Sequence, residues 1–140
     1  MNILNVSGET LRQMVRFECL VADLSAGFIN VPAGEFDRAI LRALRHIVEG
    51  LGVDRSTLTQ YFPERGEFII THCWVVNGLP PTPKMVANAG WPWTLARMRR
   101  GETVVFSRLD DLPPEAAVDK IGFQSIELKS HVSIPLHIGR

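Results

Sequence analysis

The sequence predicts an α+β fold on three observations. Two stretches with helical apolar spacing come first, an antiparallel hairpin follows them, and short helices and strands are then mixed without the regular β–α alternation of a parallel sheet. The hairpin organises the rest. Its two arms, residues 55–62 and 67–76, are rich in β-branched and aromatic side chains. Between them Pro63 supplies a fixed φ and Gly66 a permissive one, as a tight connection needs.

In chain order, Leu11, Met14, Val15, Phe17, Leu20, Val21, Leu24 and Phe28 fall at three- and four-residue spacing. They lay an apolar stripe on a long amphipathic helix expected over residues 9–30. Pro32 and Gly34 interrupt it, and Phe36, Ile40, Leu44, Ile47 and Leu51 repeat the spacing in a second helix that ends at Gly50 or Gly52. The hairpin arms offer these helices a face to cover. After the second arm Pro80, Pro81 and Pro83 forbid regular helix or central strand, so an ordered surface loop is expected there, the kind of loop that borders sites. Pro92 suits the first turn of a short helix that Gly101 stops, with Arg97, Arg99 and Arg100 near its negative end. Residues 102–107 form a short strand. Asp110 and Asp111, followed by Pro113 and Pro114, start a helix expected to run to about Glu127 despite Gly122. Finally Val132, Ile134, Leu136 and Ile138 alternate with polar residues in a half-buried strand over 130–138, where Pro135 marks an edge or bulge.

Length and composition bound the function. The chain has 140 residues with 46% apolar content, enough to close one core, so a single domain over residues 1–140 is expected. Lys plus Arg and Asp plus Glu number 15 each, which leaves no net field to attract nucleic acid or an anionic membrane. Cys19 and Cys73 lack CxxC spacing, and each lies in an apolar-periodic segment where a buried, reduced thiol is the usual outcome. The first eight residues lack a signal peptide's basic and apolar regions, and no run of about 18 apolar residues occurs, so neither secretion by such a signal nor a membrane span is expected. A cytoplasmic protein fits.

The helix around residues 41–48, the strand entry at Asp54 and Arg55, the hairpin, the helix from Trp93 to Glu102 and the late strand Ser133, Ile134, Pro135, Leu136 together resemble a GAF domain. The likeness covers roughly residues 17–140 and is nearest to the GAF domains of bacterial sensor kinases, through the Trp91-Pro92-Trp93 helix start and residues 106–113. It implies a profilin-like antiparallel sheet with helices packed on both faces. It implies a sensory module that binds a small molecule and regulates an output domain such as a histidine kinase of a two-component system or a transcriptional regulator. The resemblance also implies a homodimer, with the helix of residues 9–30 as its seam. In that family the strand matching residues 130–138 is followed by one more strand and a closing helix. Their lack here points to a truncated domain, or to a sheet completed by a second copy or an appended segment. The cysteines and the sets that carry bilin, cyclic nucleotide or methionine sulfoxide chemistry in its branches are not matched. The ligand is left unidentified.

Six residues are expected to contact that ligand: Thr59, His72, Trp74, Trp91, Trp93 and Phe106. Trp91 and Trp93 flank Pro92 beside the proline-rich loop, where two indoles either stack on a planar ligand or plug the core. His72 and Cys73 are adjacent in a strand and point to opposite faces, so they cannot chelate one ion. The simpler reading is a core thiol and a hydrogen-bonded imidazole at a pocket wall. His131 and His137 share a strand face but stand ~20 Å apart at strand rise, too far for a common metal. Arg97, Arg99 and Arg100 either meet an anionic ligand or solvate a helix end, and Asp110, Asp111 and Glu115 suit a helix start better than catalysis. An enzyme would have to work with His72 and Thr59 or Thr71, and no enzyme, catalytic residue or metal is expected. The rival to the sensor is a dimerisation or protein-interaction domain whose core is filled by Trp74, Trp91 and Trp93.

Overall fold

A computed structural model describes residues 7–137. Its secondary structure is mixed α and β, with four α-helices among the described residues. The chain divides into two compact units, which among the described residues are 7–59 with 70–84, and 60–69 with 85–137. The hairpin strands β1 (Arg55–Phe62) and β2 (Glu67–Val75) run through both, with their turn in the second. They form a three-stranded sheet in the order β1-β2-β3 with the short β3 (Met85–Val86). The turn is closed by Arg65 N–H donating to the Phe62 carbonyl at 3.1 Å, and Gly66 takes the left-handed φ of 63° that this return requires.

In the first unit, α1 (Gly8–Ala26) is capped by the Ser7 hydroxyl, which accepts from Thr10 N–H at 3.2 Å. The expected helix over 9–30 is shorter at its far end. Residues 27–30 turn instead, and Asn30 at φ 59° leaves the helical region before Pro32. α2 (Phe36–Leu51) ends as the sequence indicates, with Gly52 in the left-handed conformation and its N–H on the Val48 carbonyl. Ala39, Leu44 and Val48 are buried on α2, whereas α1 buries no residue fully. Leu20 of α1 fits over Gly50, where an added Cβ would come within 3.0 Å of its methyl groups. Leu11, Met14, Val15, Phe17 and Val21 lie exposed on α1, and so does Cys19, whose thiol was expected to be buried, because α1 buries no residue fully. The proline-rich loop is ordered by two hydrogen bonds, Arg55 Nη2 to the Pro80 carbonyl at 3.0 Å and Thr82 N–H to Cys73 Sγ at 3.4 Å.

The second unit is built around aromatic rings. Trp91, Phe106 and Phe123 are buried. Phe123 lies 5.8 Å from Trp91, 5.3 Å from Phe106 and 5.0 Å from His131, centroid to centroid. α3 (Pro92–Arg99) begins on Pro92 as expected, and β4 (Val104–Phe106) follows it. The predicted helix over 110–127 is broken into 3-10 turns at Leu109–Asp111 and Pro114–Ala116 before α4 (Ala117–Ser125). Consecutive prolines at 113 and 114 remove two backbone donors and hold Pro113 extended, which delays the regular helix. The acidic residues do serve this region's local structure. Asp111 Oδ2 accepts from Arg108 N–H at 2.9 Å, and Asp110 pairs with Lys120 at 2.6 Å, which holds the Asp110 carboxyl below its ordinary range.

β5 (His131–Ser133) pairs antiparallel with β4, Val105 opposite Val132. It departs from expectation in length and in facing. The ladder stops at Ser133, close before Pro135 with its missing N–H, and Ile138 lies outside the described residues. The alternation was expected to bury Val132, Ile134 and Leu136, but these are 56%, 64% and 76% exposed. The residues of opposite parity, His131 and Ser133, are the half-buried ones, because the inner face of the ribbon meets Phe106 and Phe123 through the His131 ring.

Candidate functional site

The second unit carries a cleft of about 290 Å³. One wall comes from α3 through Trp93 and Arg97, one from β4 and the residue before it through Thr103, Val104, Val105 and Phe106, and one from the end of the first 3-10 turn and the link after it through Asp111, Leu112 and Pro113. α3 is held in place by a distant residue. Asp119 of α4 is fully buried, and its two carboxylate oxygens accept from Trp93 N–H at 3.0 Å and Thr94 N–H at 2.7 Å. These are free donors of the first helical turn, and Trp91 at the N-cap has no capping side chain, so Asp119 supplies the cap and an anion at the positive end of the helix. That bond pair sets the position of Trp93 and, one turn on, of Arg97.

Arg97 is the principal charged group of the cleft. Its guanidinium lies over the Trp93 ring at 4.5 Å, a cation–π stack, and its Nη1 donates to Glu102 Oε2 at 2.8 Å. Arg100 donates from Nε to the other Glu102 oxygen at 2.7 Å. Glu102 is thereby held below its ordinary carboxyl range, chiefly by the Arg100 hydrogen bond, and Arg100 is raised in return. The Arg97 Nε is covered and has no hydrogen-bond partner. The sequence left these arginines between a solvated helix end and an anion site. Arg99 does something else, lying over the Tyr61 ring at 5.1 Å.

The six expected ligand residues are not gathered into one place. Trp93 and Phe106 line this cleft. Trp91, in the same unit, is buried against Phe123 and is not among the cleft's lining residues. Thr59, His72 and Trp74 belong to the first unit. There Thr59 is exposed, and Trp74 is half-buried with Arg45 over its ring at 5.5 Å. The second cavity, of about 40 Å³ beside Asp23, Ala39 and His46, has room for little more than a water.

His72 makes the most chemically suggestive contacts of the first unit. Its Nε2 meets Asp37 Oδ1 at 3.1 Å and its Nδ1 meets the Thr71 hydroxyl at 2.9 Å, an Asp–His–Thr chain that sequence reading missed because Asp37 lies 35 residues away. Thr71 donates its hydroxyl proton to the Leu58 carbonyl at 3.3 Å, and Asp37, His72 and Thr71 line neither of these two cavities. Among the described residues no cluster of three His, Cys, Asp or Glu side chains could hold a metal ion. No helix among them is long and apolar enough to cross a membrane.

Together these features describe a small α+β protein whose second unit carries a cleft of about 290 Å³. No protein-family model matches the chain, and no curated protein matches it.

Proposed function

We propose that this chain is a small-molecule sensing module of the GAF type, acting in the cytoplasm on an output domain or partner such as a histidine kinase or transcriptional regulator. The observation that carries the reading is the cleft. It joins an indole and a guanidinium to the apolar side chains of Phe106, Leu112 and Pro113, the mix of apolar wall and a few placed polar groups that small-molecule sites use. A ligand there acts by differential affinity, favouring one of two arrangements already in equilibrium.

The dimer belongs to the same proposal. α1 carries five exposed apolar residues (Leu11, Met14, Val15, Phe17 and Val21) and buries none, which suits a helix paired with its copy and passing a signal along the pair. The same observation favours the second reading, a dimerisation module without a ligand. The two separate on the mass of the protein purified from cells under native and denaturing conditions. A sensor retains a reproducible extra mass that denaturation releases; a bare dimer at both high and low protein concentration favours the interaction module.

A further inference from the structure

We infer that the Trp93–Arg97 cleft takes a small organic monocarboxylate with an apolar body, seated on the free Nη2 of the Arg97 guanidinium. The inference rests on the sensing reading and names its ligand class. A guanidinium has two forks that match a carboxylate, and here one prong of the end-on fork, Nη1, is already taken by Glu102. The side-on fork consists of Nε and Nη2. Nε is covered and out of a ligand's reach, so Nη2, which makes no hydrogen bond among the described residues, is the prong left to a carboxylate. The Arg97 side chain is 38% exposed, so the cleft reaches the guanidinium although Nε itself is covered. The Trp93 stack and the Glu102 bond hold the group before the ligand arrives, which lowers the ordering cost of binding.

The charges around Arg97 set the ligand's charge. Glu102 is matched by both Arg97 and Arg100, so this trio carries one net positive charge. Asp111, on the opposite wall, is only loosely paired with Arg108 at 3.6 Å and repels a second negative charge. A phosphate or dicarboxylate is therefore disfavoured against a monocarboxylate. Phe106, Leu112 and Pro113 receive the apolar body, and about 290 Å³ suits a single ring with a short chain.

The test uses 3-phenylpropionate, its neutral isostere 3-phenylpropanol, and inorganic phosphate, each titrated into the full chain while the Trp93 indole N–H is followed by NMR. 3-Phenylpropionate is expected to bind about tenfold or more tightly than the alcohol, with phosphate weaker than both. Arg97→Gln is expected to abolish that preference, and Arg97→Lys, which keeps the charge but not the planar group stacked on Trp93, to retain only part of it. Asp111→Asn is expected to admit phosphate or a dicarboxylate more readily. Equal affinity for acid and alcohol, or a preference that survives Arg97→Gln, overturns the inference and leaves the sensing reading standing. No binding of any probe also overturns it; the sensing reading then stands or falls separately on whether the purified protein retains a compound.

Discussion

His131 makes the structure's clearest pH prediction. Its ring is packed between Phe106 and Phe123, with Nε2 on the Ser133 hydroxyl, and burial lowers its pKa from 6.5 to about 4. The folded state thus binds this proton less readily than the unfolded state does. Its contribution is fully present above about pH 6.5 and is lost as pH falls from 6.5 towards 4, where the unfolded chain takes up a proton that the folded chain refuses. At about 1.4 kcal/mol per pH unit, the whole shift corresponds to about 3 kcal/mol. The perturbation is His131→Phe, which keeps an aromatic ring in the cluster and removes the titration. Urea unfolding followed by tryptophan fluorescence, run from pH 7.5 to pH 4 on both proteins, is expected to show wild type losing about 3 kcal/mol more than the variant over that range. Taking the difference between the proteins cancels the acid response of their shared carboxylates. Parallel pH profiles would refute the argument, because they would mean that the ring protonates in the folded state without cost.

Three further outcomes follow from the packing. Gly122→Ala places a methyl group against the Gly90 carbonyl oxygen, a backbone atom that cannot swing aside, and is expected to cost at least ~1–3 kcal/mol in urea unfolding. Asp119→Ala leaves the Trp93 and Thr94 N–H groups without acceptors and is expected to cost ~2–4 kcal/mol, with Asp119→Asn losing less because one oxygen remains. Leu11→Glu with Met14→Glu on exposed α1 is expected to leave unfolding within about 0.5 kcal/mol of wild type while converting a dimer to a monomer in light scattering.

Much of the fold is legible in short-range signals. Gly52 ends α2, Pro92 opens α3, and Pro63 with Gly66 turns the hairpin, because each acts through its own φ or missing donor and needs no distant partner. What the sequence hides depends on partners far along the chain. Asp119 reaches back 25 residues to cap α3, although a signal existed: it occupies the same helical stripe as Ala116 and Phe123, where an isolated carboxylate implies waiting donors. The facing of β5 was hidden for another reason. Period-two alternation tells which residues share a face but not which face is covered, and here His131 wins the inner position through its aromatic neighbours. For the site, the sequence singles out Trp93 beside the proline-rich loop and Phe106 in a short strand, and both line the cleft, while the role of Arg97 depended on which of its donors Glu102 leaves free.

The central claim is that the cleft beside Trp93 binds a small molecule. The chain's three tryptophans, Trp74, Trp91 and Trp93, give three indole N–H reporters, and only Trp93 lines the cleft. The direct measurement is their NMR spectrum as the low-molecular-weight extract of the producing cells is added to protein that has been unfolded, dialysed and refolded. The account predicts that the Trp93 signal moves with saturation while the Trp74 signal stays. A spectrum in which no indole signal moves, or in which only Trp74 does, would contradict it.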